Sequence, residues 1–255
     1  MLFLKVAGSS EELKKAQRLR YEIFFNHHQS EKEVVENDEH SGLDVDRYDA
    51  FCKHLLVLDT EQEGVVVATT RVLLGSWLPD GEHYIAEDEF EIPFLKESAQ
   101  EARKVSMEVG RSCVHPEYRD GGAIQLLWQG IAKFALDNDV RVIFGCASFH
   151  GVDVDEHLNE ISYLMANYPA PNKYQSRSLA NENIVYKAIN EIDENIAVQR
   201  IPTLIKAYTK LGGVVGPQIY VDRVVNTIDI LVIVDVDLIP RKFLNFFSKI
   251  KIISD

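Results

Sequence analysis

The chain has 255 residues, 46% of them hydrophobic, which supports a sizeable core and excludes wholesale disorder. Its 40 acidic and 27 basic side chains leave a formal net charge of −13, and no basic run is interleaved with aromatics, so nucleic acid is not an expected partner. No apolar run reaches the roughly 18 residues that cross a bilayer, and Met1-Leu2-Phe3-Leu4-Lys5 lacks the basic start and long apolar stretch of a secretion signal, so the cytoplasm is the expected location.

In chain order, Leu13, Ala16, Leu19 and Ile23 recur at helical spacing and predict an amphipathic helix over 11–25, with Ser9 or Ser10 as N-cap. Residues 27–49 are polar and acidic and predict a long loop, a kind of segment that in a compact domain often serves function. Residues 53–59 and 65–74 predict strands joined by the polar hairpin loop 60–64. The stretch 77–104 is irregular, with a short helical candidate near 94–103. A strand over 105–114, a loop over 115–123, a helix over 124–137 and a near-continuously apolar, hence central, strand over 141–149 follow. Beyond them, 154–168, 183–192 and 202–211 predict helices, the last stopped by Gly212-Gly213, and 218–222 and 227–236 predict strands. This order describes an α/β fold with a mixed sheet: a single domain over 1–255, its core in residues 1–150 and a helical extension with returning strands in 151–255.

Cys52, Cys113 and Cys146 are odd in number and lack C-x-x-C spacing, so neither a disulfide framework nor a zinc site is expected. Buried packing is the plain reading for all three, with a catalytic thiol open mainly at Cys146. His27, His28, His40, His54 and His150 form no metal-ligand set, and His54, just before an apolar strand, reads as a satisfied core residue. The tail 239–255 is locally basic, with Arg241, Lys242, Lys249 and Lys251 against Asp255. It fits either a packed C-terminal helix or contact with an anionic membrane surface.

Arg119-Asp120-Gly121-Gly122 lies between a predicted strand and a predicted helix. Successive glycines let backbone turn tightly and approach a ligand. The first N–H groups of a helix lack internal partners, and the helix dipole favours an anion there. The pattern is therefore either a phosphate cradle or a plain turn. It resembles the pyrophosphate-binding loop of the GNAT acyltransferases, with Ile124 standing where that family usually has Gly or Ala. Around it, Glu108-x-Gly110-Arg111-Ser112-Cys113-Val114-His115-Pro116-x-Tyr118-Arg119, Leu126-Leu127-Trp128 and Phe144-Gly145-Cys146-Ala147-Ser148-Phe149 resemble the ornithine-lipid N-acyltransferases, sometimes labelled hemolysin-like and related to acyl-homoserine-lactone synthases. Arg20-x-x-x-Phe24, Asp46-x-x-Asp49, His54-Leu55-Leu56-Val57, Thr70-Arg71-Val72-Leu73, Leu204-x-x-x-Tyr208 and Asp222-x-x-x-Asn226-Thr227-x-Asp229 extend the resemblance over residues 15–250.

The resemblance implies a GNAT-like, mixed and mostly antiparallel sheet flanked by helices. It implies transfer of a fatty, 3-hydroxylated acyl group from acyl carrier protein to the amine of an amino acid such as ornithine, for membrane-lipid or acyl-amino-acid synthesis. The donor is an acyl-phosphopantetheine thioester, with acyl-CoA as its alternative form, and no permanently bound cofactor or metal is expected. Val114, Arg119, Asp120, Gly121, Gly122 and Ala123 would hold the donor's pantetheine and phosphate.

Glu108 and Arg111 are the catalytic candidates. An unperturbed Glu has a pKa of about 4.3, poorly matched to an amine, so Glu108 as base must be partly desolvated. Alternatively Glu108 pairs with Arg111, which on a strand needs a bulge that Gly110 could supply. Asp46 and Asp49 suit a substrate ammonium or else form a solvated acidic loop. Arg71, inside an apolar strand, needs a carboxylate partner, either Asp46 and Asp49 or the substrate. Arg20, its stem under Phe24, would join the same network, giving one shared site of Arg20, Asp46, Asp49, Arg71, Glu108 and Arg111. Tyr163, Tyr168 and Tyr174 are open candidates to protonate the leaving thiolate. An acidic carrier docking on an acidic chain needs a local positive patch, sought around Arg103, Lys104, Arg119, Arg141 or the tail. A peripheral place on the inner membrane follows from the tail's second role. An acyl-homoserine-lactone-type signal synthase and a non-catalytic acyl-carrier or lipid-binding module are the competing functions.

Overall fold

The computed structural model describes residues 1–25, 42–62, 64–95, 105–180 and 184–240. Its strands are β1 (Leu2–Val6), β2 (Lys53–Asp59), β3 (Val65–Leu74), β4 (Phe90–Glu91), β5 (Ser106–Val114), β6 (Val142–His150), β7 (Arg177–Ser178), β8 (Val214–Asp222) and β9 (Thr227–Asp235). Its α-helices, among the described residues, are α1 (Ser10–Phe24), α2 (Gly122–Asp137), α3 (Val154–Asn167), α4 (Glu194–Arg200) and α5 (Thr203–Lys210). The chain forms two compact units, the first from the described parts of 1–73 and 109–138, the second from those of 74–108 and 139–240.

In the first unit β1, β2 and β3 pair antiparallel, with Leu4 opposite Val57 and Leu55 opposite Thr70. The second half of β5 lies beside β3, where the N–H of His115 donates to the Val67 carbonyl at 2.8 Å. β3 is buried from Val66 onward, its apolar residues enclosing the buried polar Thr69, Thr70 and Arg71. α1 starts where Ser9 accepts the Glu12 N–H, with Glu11 and Glu12 complementing the helix dipole. Its Ala16 and Leu19 pack on Leu56, Leu58, Val66 and Cys113. α2 approaches β1 and β2 through Gly130: a Cβ there would lie 2.9 Å from the side chains of both Leu4 and Leu55. Alternate residues of β2 therefore serve two helices, Leu56 and Leu58 facing α1 and Leu55 facing α2.

In the second unit the start of β5 pairs parallel with β6, Ser106–Glu108 against Val142–Phe144. β9 pairs antiparallel with β6 along its whole length and with β8 on its other edge. The strand pairing is thus mixed and mostly antiparallel, as expected. α3 packs on α4 and β8, burying Ile161 and Leu164.

Two expectations need correction. No α-helix forms over 184–192; Ile189–Glu191 makes only a 3-10 turn, and Val185 and Ile189 stay exposed. The apolar spacing there has no core to meet. The helix begins further on, at Glu194, where Asp193 accepts the Ile196 N–H. β1 was not foreseen, and the strand expected over 218–222 starts earlier, at Val214. The helical candidate at 94–103 falls on described residues only at its start, where Pro93–Leu95 forms a 3-10 turn. The basic residues of the tail, and Arg103 and Lys104, lie outside the described residues.

Candidate active site

The first unit gathers five of the six residues expected to share a site and adds one that was not foreseen, Asp44. Arg71 projects from β3 and is 2% exposed. It donates to both oxygens of Asp46 at 2.7 Å and to Asp49 at 2.8 Å. Arg20, from α1, is 1% exposed and donates through Nε to Asp44 at 2.7 Å and through Nη1 and Nη2 to Asp49 at 2.9 and 3.0 Å. It also donates to the Asp44 carbonyl. Gln17 adds a hydrogen bond to Asp49 at 2.9 Å. Burial alone would raise the pKa of Asp49 and Asp46, but hydrogen bonds and charge from Arg20 and Arg71 outweigh it and hold both carboxyls below their ordinary value. Burial likewise works against both guanidinium charges, yet the aspartates push the Arg71 and Arg20 pKa values up. Buried charges this dense persist only as satisfied pairs.

Arg111 completes the cluster, with Nε 3.5 Å from Asp44 and Nη2 3.9 Å from Asp46. Its side chain is 28% exposed, the most open of the three arginines. It lies over the Phe24 ring at 5.8 Å, the place expected for Arg20. Within β5 the left-handed backbone falls on Arg111 itself, at φ +49, and not on Gly110. That conformation costs a non-glycine residue about 1–2 kcal/mol. Three arginines and three aspartates balance, so Asp46 and Asp49 are committed to arginines and do not form a solvated loop. His54 is buried beside Asp49, with Nε2 3.2 Å from its carbonyl; burial lowers its pKa, matching a core role.

The Arg119–Ala123 loop follows directly on β5 in the same unit. Gly121 takes φ +108 and leads into α2. The Gly122 N–H donates to Asp120 at 3.1 Å, so Asp120 occupies part of the cradle. The N–H groups of Ala123 and Ile124 belong to the helix's first turn, which has no in-helix acceptors. Arg119 is exposed and donates through Nε to the carbonyl of Val114 at 3.1 Å. Val114 is half-buried and Ala123 fully buried.

Glu108 belongs to the second unit and is 3% exposed. Its two oxygens accept the N–H groups of Ile85 at 2.8 Å and Ala86 at 2.7 Å, the start of the 3-10 turn Ile85–Asp88. This orients the carboxylate from two sides. The carboxylate partners seen for Arg111 are Asp44 and Asp46.

A second acidic group in this unit escaped the sequence reading in part. Glu89, Asp222 and Asp229 each place a carboxylate oxygen within 4.8 Å of the others, close enough to share a proton or a cation. Asp229 is 4% exposed and accepts from Ser148 and, at 2.8 Å, from Thr227. Burial and the neighbouring Asp229 push Glu89 up to about 8. Burial and the same carboxylates push the Cys146 thiol well above its usual value, which suits packing and not a nucleophile. The motif Asp222 to Asp229 was visible in the sequence; Glu89, from an irregular stretch, carried no signal. Among the tyrosine candidates, Tyr174 donates to Asp235 at 2.8 Å.

Residues 19–129 match the acetyltransferase (GNAT) domain, and the chain is an acyltransferase. An L-ornithine N(alpha)-acyltransferase of Rhodobacter capsulatus is 30% identical over 96% of this chain and 94% of its own. Those of Brucella abortus and Rhizobium meliloti are 31% and 32% identical, covering 97% and 96% of this chain and 89% and 83% of theirs. The chain belongs to the L-ornithine N(alpha)-acyltransferase family. Among solved structures, the CoA-dependent acyl-homoserine lactone synthase BjaI with MTA matches with a TM-score of 0.50 at 15% identity, covering 97% of this chain and 88% of that one; this likeness concerns the fold. No helix among the described residues is long and apolar enough to cross a membrane.

Proposed function

We propose that the chain moves a fatty, 3-hydroxylated acyl group from acyl carrier protein to the α-amine of ornithine, for membrane-lipid synthesis. The observation that carries this reading is the family membership over nearly the whole chain. The reaction needs a neutral amine to attack the thioester carbonyl, a base to take its proton, and loss of the thiolate from the tetrahedral intermediate. Glu108 is the base, directly or through one water, and its two amide hydrogen bonds support a fixed aim. Arg111, the most exposed arginine of its cluster, receives the amino acid's carboxylate, while Arg20, Asp46, Asp49 and Arg71 hold its surroundings. Val114 through Ala123 meet the donor's pantetheine and phosphate, with Asp120 turning aside for the anion. The two units work as one acyltransferase domain, on the cytoplasmic side, with the basic tail against the inner membrane that receives the lipid.

The test mixes purified protein with long-chain acyl carrier protein and ornithine and follows free thiol and N-acyl product. Replacing Glu108 by Gln is expected to slow both by about 100-fold or more. No thiol release with any amine, or equal release from Glu108→Gln, overturns the mechanism.

A further inference from the structure

We propose that a groove between α1 and the start of β3 is the docking surface for the acidic carrier protein that presents the acyl thioester. The proposal rests on the donor assignment made above. The groove encloses about 590 Å³, and its lining includes Lys15, Arg18, Leu19, Glu22, Val65 and His115.

Charge is the first argument. A chain of net charge −13 repels an acidic protein, so docking needs a place where positive charge is local and unspent. At physiological salt, charges beyond about 8 Å are screened, so a small patch can outweigh the chain's total. Among the described residues, several basic side chains elsewhere are spent. Lys5 pairs with Glu12, Lys133 with Asp137, Arg141 with Asp237 and Lys173 with Asp235. Arg141, one place where a docking patch was sought, is thus paired with a carboxylate at the surface. Lys14, Lys15 and Arg18 are exposed on α1 and, among the described residues, have no carboxylate partner. Spacings of three and four residues bring Arg18 beside both lysines on one helix face.

Shape and position agree with charge. Val65 is 49% exposed beside the buried Leu19, so the basic side chains of α1 border an apolar floor. An apolar centre with a charged rim is how protein partners are gripped, and free phosphate needs no such floor. His115 lines the groove and also opens the loop to Arg119 and Gly122. A carrier seated on α1 therefore sits at the end of β5 from which its phosphopantetheine meets the phosphate cradle. Among the described lining residues Glu22 is the one acid, and it makes the sign of the effect testable.

The experiment measures the Michaelis constant for acyl carrier protein at low and high salt with full-length protein. The pair Lys15→Glu and Arg18→Glu together should raise it about tenfold or more at low salt and flatten its salt dependence, with kcat at saturating carrier little changed. Glu22→Lys should lower it, a gain that misfolding cannot imitate. Lys133→Glu, a reversal on α2 of the same size as either single reversal on α1, should leave it unaltered. An unchanged constant in both the double variant and Glu22→Lys overturns the proposal. So does an unchanged constant with loss of binding to anionic phosphatidylglycerol vesicles, which gives the groove to a membrane. Wild-type protein that uses acyl-CoA and ignores the carrier thioester defeats the donor reading itself, a separate outcome.

Discussion

Arg71 grips Asp46 end on, each of its two terminal nitrogens lying 2.7 Å from a different carboxylate oxygen. Arg71→Ala leaves Asp46 and Asp49 short of a buried partner and should cost about 3–5 kcal/mol. Arg71→Lys should recover only part of it, because an ammonium lacks the planar fork. Urea unfolding of the two variants checks the order. Equal stabilities of the wild type and Arg71→Ala would show that the cluster does not hold the fold.

Glu89 gives a pH signature. Its folded pKa of about 8 stands above the ordinary 4.5, so the neutral acid is favoured in the folded state. The resulting stability is fully present below pH 4.5 and is lost as pH rises through about 8. Asp222, Asp229, Glu108 and Cys146 are the titratable groups that face it. Melting temperature should therefore fall more steeply between about pH 4.5 and 8 in wild type than in Glu89→Gln, which stays neutral throughout. Parallel curves would contradict the raised value.

Gly121 and Gly122 should respond oppositely to alanine. Nothing lies within 4 Å of a Cβ at Gly121, but φ +108 is strained for any side chain, so Gly121→Ala should destabilise by about 1–2 kcal/mol. Gly122 starts α2 in ordinary space, its nearest atom at 3.6 Å, and Gly122→Ala should stabilise by about 0.4–1 kcal/mol. The same methyl would stand where a phosphate approaches, so the thioester's Michaelis constant should rise. A stabilised Gly122→Ala with unaltered kinetics would remove the cradle from donor binding.

Arg111 separates activity from stability. Arg111→Gly relieves the left-handed strain while losing two long ion pairs, so unfolding free energy should change by less than about 1 kcal/mol. If the guanidinium holds the amino acid's carboxylate, kcat/KM should fall about tenfold or more, the worth of a charged hydrogen bond. Full activity in this variant would assign the carboxylate elsewhere.

How much could be read from the sequence depended on how local the cause was. β2 and β3 followed from apolar patterning and matched residue for residue. Arg71 announced its need for carboxylates because a guanidinium inside an apolar strand has few alternatives, and Asp46 and Asp49 met it. Asp44 was missed because nothing in its neighbours distinguishes it from a solvated acid; only the return of the chain to Arg20 does so. Glu89 was missed for the same reason, its partners being some 130 residues on along the chain. The failed helix over 184–192 shows the converse, since apolar spacing without a surface to cover has no folding value.

The cluster of Arg20, Asp44, Asp49 and Arg71 also constrains how this chain can drift. Losing any one member strands a buried charge, whereas exchanging partners together need not. Substitutions at these four positions are therefore expected to arrive in compensating sets across relatives. The segment Gly42–Ala50, loop-like in its backbone, should vary as slowly as a core strand.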